Sequence, residues 1–192
     1  MYDLHSILIQ LKKEDTPLHG VMVRCVRCFY QWLDPTLWEG SALFELWAQE
    51  LELIYGDLRQ RLSPNAKTDA GSLGDRFGFD TPPELPRLLQ SIQTFYSVLI
   101  KLIAWNTLRG ATPEPPLTEL LSGRAFVNRG IRNFCGDDWY IWPLDIWDPA
   151  LETQGEELRA CLEAFDTCPE GSTLSPDSLS RIYETVVPPA LR

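Results

Sequence analysis

The chain has 192 residues, with 17 basic against 27 acidic side chains and a net charge of −10, a length that suits one domain, or one domain and a small lobe. An apolar fraction of 44% with seven Trp, six Tyr and eight Phe supplies a real core and argues against disorder. The acidic balance weighs against a free-standing nucleic-acid binder, leaving room for a small basic patch or a part in a larger DNA-acting protein, and no apolar run of about 18 residues suggests a membrane span.

Residues 3–13 place Leu4, Ile7, Leu8 and Leu11 on one face of a short helix, closed by Thr16-Pro17. A second helix is predicted over 18–33 from Val21, Val23, Cys25, Cys28, Phe29 and Trp32, with Asp34-Pro35 ending it. Ser41 reads as an N-cap for a helix carrying Phe44, Trp47, Leu51, Ile54 and Tyr55 and stopping at Gly56. Residues 57–81 mix Pro, Asn, Gly and Asp with scattered Leu and Phe, which predicts short turns of helix and loop.

The strongest signal runs over 83–108, where Leu88, Leu89, Ile92, Phe95, Leu99, Leu102 and Ile103 belong to an apolar stripe wide enough for a central helix contacted on several sides. Pro86 falls in its first turn, where it costs little, and Gly110 ends it. The proline-rich stretch ATPEPPLT marks a possible sub-boundary at 110–117 and is short enough for an ordered crossover. A brief helix at 117–121, a weaker one at 126–134, another over 149–165 and a last one opened by Ser175-Pro176 complete the pattern. The segment VMVRCV passes for a strand by itself, but its neighbours favour helix. The predicted fold is all-α, an irregular multi-helix bundle around the 83–108 helix in a single domain spanning 1–192.

Chemistry is sparse. Cys25 and Cys28 form one C-x-x-C without a second pair at matching spacing, so core thiols are a better reading than zinc. His5 and His19 are the only imidazoles, and no nucleophile elbow, dinucleotide loop or Walker sequence accompanies them. No catalytic, cofactor-binding or metal-binding residue is therefore assigned. The opening segment lacks signal-peptide organisation, its charges following its apolar stretch, so a cytoplasmic location with reduced thiols is expected for the five Cys.

Three features invite a functional reading. Asp137, Asp138, Asp145 and Asp148 sit among Trp139, Tyr140, Trp142 and Trp147; such acids form carboxylate sites or simply cap turns, and the rings stack on a ligand or pack internally. Lys101 interrupts FYSVLIKLIAW, which leaves two alternatives: its ammonium snorkels to water, or it pairs with an acid from 137–148. Arg124, Arg129 and Arg132, with Asn128 and Asn133, are candidates for a phosphate-backbone contact or for an ordinary solvated face.

LFELWAQELELIYG, IQTFYSVLIKLIAWNTL, RGIRNFCGDDWYIWPLDIWD and LSRIYETVVPPALR, in that order, resemble the helical region preceding the catalytic domain of large bacterial adenine-N6 DNA methyltransferases of the restriction-modification and phage-defence type. The resemblance covers most of residues 41–192 and rests on Phe44 and Trp47; Phe95, Tyr96, Leu99 and Lys101; and Trp139, Tyr140, Leu144 and Trp147. In that family a phrase like Ile182-Tyr183…Val187-Pro188…Leu191-Arg192 runs into the opening of the methylase domain. The family's cofactor loop and N-P-P-Y motif are missing here, so no catalytic residue carries over.

The resemblance implies a non-catalytic accessory or N-terminal region that positions a methyltransferase core. The S-adenosylmethionine cofactor would sit in that parent or partner enzyme, and DNA would be met indirectly. It implies a docking surface drawn from Lys101, Trp139, Tyr140, Trp142, Trp147 and Tyr183. Two alternatives stand beside it: a stand-alone protein-protein interaction module, and a small enzyme with a carboxylate site around Asp137–Asp148.

Overall fold

The computed structural model describes residues 4–33, 44–47, 49, 74–81, 83–108, 110, 113–132, 134, 153, 155–157, 159–160 and 176–187. Among these residues there is no strand, and the fold is an all-α bundle built around one long helix. The bounded helices are α1 (Leu4–Lys12), α2 (Pro17–Trp32), α3 (Leu85–Leu108), α4 (Leu117–Leu121), α5 (Arg124–Val127) and α6 (Pro176–Val186).

Local chemistry fixes the ends of these helices. Thr16, which the sequence marks as a terminator of α1, is also the N-cap of α2: its Oγ1 accepts from the His19 N–H while Pro17 opens the helix. Leu33 closes α2, its N–H bonding the Phe29 carbonyl at 3.0 Å. Beyond α3, Gly110 takes φ 52°, a left-handed conformation that suits glycine after a helix. The helix expected over 126–134 is instead a single turn, α5, bracketed by Gly123 and Gly130, both at φ 78°. Two left-handed residues so close together leave room for no more.

α2 and α6 both pack on α3, α1 bridges α2 and α6, and α4 sits between α3 and α5. The interior is formed by Leu88, Ile92, Phe95 and Leu99 of α3 against Leu18, Met22 and Phe29 of α2, with Leu120 and Phe126 closing one end. Burial of each such side chain contributes about 1.5–3 kcal/mol. By length and composition α3 would also suffice to cross a membrane, an outcome the sequence reading did not anticipate, but 78% of its most apolar window is buried inside the fold. Its apolar breadth is thus used for helix contacts within the bundle.

The body is continued by helical residues at 44–47 and 153–160 where these are described. Trp47 is buried in the same core, with Phe44 stacked on it at 5.7 Å. Arg159, itself buried, stands 3.2 Å from the Glu114 carboxylate and 3.5 Å from that of Glu156, so it ties the proline-rich crossover to the 153–160 segment.

Candidate docking and backbone-contact surface

Basic side chains in this acidic protein have a recurring use. Arg87 of α3 donates from Nε to the Tyr30 carbonyl at 2.6 Å and from Nη2 to that of Gln31 at 3.3 Å, at the end of α2, while its guanidinium covers the Tyr30 ring at 4.1 Å. Arg76 donates to the Thr185 carbonyl at 2.8 Å, near the end of α6. Lys101 donates to the Leu121 carbonyl at 2.8 Å, the last residue of α4. Arg129 donates to the Leu108 carbonyl, the last residue of α3. Each places a positive charge on carbonyls that the helix leaves unsatisfied, at the negative end of its dipole.

This arrangement decides between the alternatives for Lys101. Snorkelling is overturned: the residue is only 3% exposed, and its ammonium bonds a backbone carbonyl inside the fold. The physical reason is the approach of α4, which covers the helix face where a solvent path would have run. The alternative pairing with an acid of 137–148 lies outside the described residues.

Arg124 opens α5, Arg129 lies in the turn after it and Arg132 follows that turn, and all three are exposed. Beyond its bond to Leu108, Arg129 lies over the Trp105 ring at 5.0 Å. Trp105 meets Phe126 edge-on at 5.9 Å, and Phe126 meets Phe134 at 4.3 Å. Leu108 and Val127 are exposed apolar side chains at the same end of the bundle.

Of the proposed docking residues, Tyr183 is half-buried on α6 and crosses Tyr96 of α3 at 5.3 Å, while the Tyr96 hydroxyl donates to the Leu179 carbonyl at 3.4 Å. Burial, and Tyr183 beside it, push the Tyr96 phenol above its ordinary range. Around that pair Ile182, Val186 and Val187 are fully buried. Trp139, Tyr140, Trp142 and Trp147, and the carboxylates Asp137, Asp138, Asp145 and Asp148, lie outside the described residues. Lys101 and Tyr183 lie apart: the first is on α3 where α4 covers it, and the second is on α6 where that helix meets Tyr96 of α3.

Cys25 and Cys28 are both buried on α2. Burial raises the Cys25 thiol far above its usual value, with Cys28 acting in the same direction. Among the described residues no group of three or more His, Cys, Asp or Glu is placed to hold a metal ion. Sequence reasoning missed the basic caps. Their partners are 20 to 109 residues away along the chain, and no local spacing signals them.

Comparison of the chain with models of known protein families, with curated proteins and with solved structures gives no match.

Proposed function

We propose that this chain is a helical accessory body of a bacterial adenine-N6 DNA methylation system. It packs against the methyltransferase core and holds it in place, and it has no catalytic role of its own. S-adenosylmethionine is bound by that core, the methyl group passes there to adenine, and any contact with DNA made here is to the backbone. The reading expects the protein in the cytoplasm, where the DNA substrate of that core lies.

Support comes from the four sequence phrases that resemble the region upstream of such cores. The single observation that carries the reading is the seating of α6. Ile182, Val186 and Val187 are fully buried, and Arg76 holds the Thr185 carbonyl at 2.8 Å. In the resembling family this phrase leads into the methylase, so a firmly seated α6 gives the core a fixed point of attachment rather than a loose tether.

The test is the coding DNA after the Arg192 codon, together with the adjoining genes. The proposal expects a frame encoding a strand, a glycine-rich cofactor loop and an N-P-P-Y motif. Neighbouring genes with neither motif would count against it.

A further inference from the structure

Gly155 and Arg159 stand one helical turn apart and are both buried, while Thr153, Glu156, Glu157 and Ala160 around them are exposed. Among its described residues, the inward face of this segment is therefore a glycine and a cation. We infer that the 153–160 segment is a strap across the bundle that opens ahead of the rest of the body, and that Arg159 is the residue that keeps it loosely seated.

The strap touches three elements. Gly155 lies against Leu117 of α4, so close that a Cβ there would overlap Leu117 Cδ2. Arg159 faces Glu114 of the proline-rich crossover at 3.2 Å. On the other side the Glu157 carboxylate accepts from Arg24 of α2. Each contact is weak for its own reason. Both partners of the Arg24–Glu157 pair are about half exposed, so water and salt screen it. Glycine permits the close approach to Leu117 but loses the most backbone freedom on ordering.

Arg159 is the reverse of the basic caps at the helix ends. Its side chain is only 8% exposed, yet Nε and Nη2 have no hydrogen-bond partner within the fold. Glu114 stands off the Nε–H direction, so it supplies charge without a hydrogen bond. Glu156 stands 3.5 Å from Nη1. Seating the strap thus takes a guanidinium out of water and replaces only part of what it loses. Opening returns those donors to solvent, whereas Glu114 and Glu156 keep contact with water even when the strap is seated. Local opening begins where burial is least rewarded. Here it uncovers Leu117, an apolar side chain otherwise hidden.

The test is native-state amide hydrogen exchange of the full chain, comparing residues 155–157, 159 and 160 with the middle of α3. The strap amides are expected to exchange at least about tenfold faster than those of α3, without denaturant. Arg159→Met, which keeps the stem and removes the idle donors, should slow strap exchange about fivefold and leave α3 unchanged. Glu114→Gln, which strands the buried cation, should speed it about tenfold. Arg24→Gln, at the exposed pair, should speed it only about two- to threefold. An Arg159→Met chain whose strap exchanges as fast as the parent's, or faster, overturns the role given to Arg159. Strap and α3 amides that exchange together, in the parent or in step across the variants, overturn the strap itself.

Discussion

The Lys101 ammonium bonds the Leu121 carbonyl across 2.8 Å, joining the middle of α3 to the end of α4 beneath the surface. A buried cation is tolerated there because it meets a helix C-terminus, where the dipole and an open carbonyl both favour positive charge. Hydrogen bonds involving charged groups contribute about 1.5–3 kcal/mol. Lys101→Ala is therefore expected to lower unfolding free energy by about 2–3 kcal/mol in a urea titration. Lys101→Met, which keeps the stem packing, should lose less. An alanine variant as stable as the parent would show that the contact carries no weight.

Gly155 lies flush against Leu117, where a Cβ would overlap Leu117 Cδ2. Gly155→Ala should destabilise the fold by about 1–3 kcal/mol, the usual range for overpacking. Because the overlap falls on one side chain, shortening that side chain should relieve it. The double variant Gly155→Ala with Leu117→Ala is predicted to be more stable than the sum of the two single losses. Strict additivity would show that the two residues do not touch.

His19 titrates against its surroundings. Burial lowers its pKa, the Arg76 charge adds to that, and the Glu14 charge and backbone oppose it. The unfolded chain therefore takes up the proton first, and stability falls as pH drops below about 6.5, the ordinary value for histidine. Above that pH the contribution is complete. The prediction is checked by comparing urea midpoints at several pH values for the parent and His19→Gln: the variant should lose part of the slope between neutral and mildly acidic pH. Parallel curves would contradict it.

Thiol chemistry offers a fourth check. With Cys25 buried and its thiol held well above the usual range, the reactive thiolate is scarce in the folded protein. Iodoacetamide at mildly alkaline pH should leave Cys25 unmodified until denaturant is added, as read by peptide mass mapping. Rapid labelling of the native chain would mean that α2 opens far more readily than its packing implies.

Much of the helix pattern is legible in the sequence, and the reasons are local. Leu88, Ile92, Phe95 and Leu99 repeat at helical spacing, Thr16-Pro17 and Gly110 mark stops, and Pro176 marks a start; each feature acts within a turn or two of itself. The length of α5 was not legible, because Phe126, Ile131 and Phe134 carry apolar character past a helix that Gly130 has already ended. The long-range basic contacts were harder still. Nothing near Lys101 announces Leu121, and nothing near Arg129 announces that Leu108 and Trp105 wait for it. Such contacts exist only once distant segments have met, so a spacing argument placed Arg129 among free cations when it is held by the fold.

The proposed function is that of a helical body serving a methyltransferase core without performing the chemistry. The most direct measurement is transfer of tritium from labelled S-adenosylmethionine to adenine N6 in duplex DNA, by the chain alone and together with the methyltransferase polypeptide that the proposal expects to be encoded with it, with co-elution of the two on size exclusion. The account predicts no transfer by the chain alone, and a complex with the catalytic polypeptide that transfers label and survives high salt. Methyl transfer by the isolated chain, or two components that elute separately and ignore each other, would contradict it.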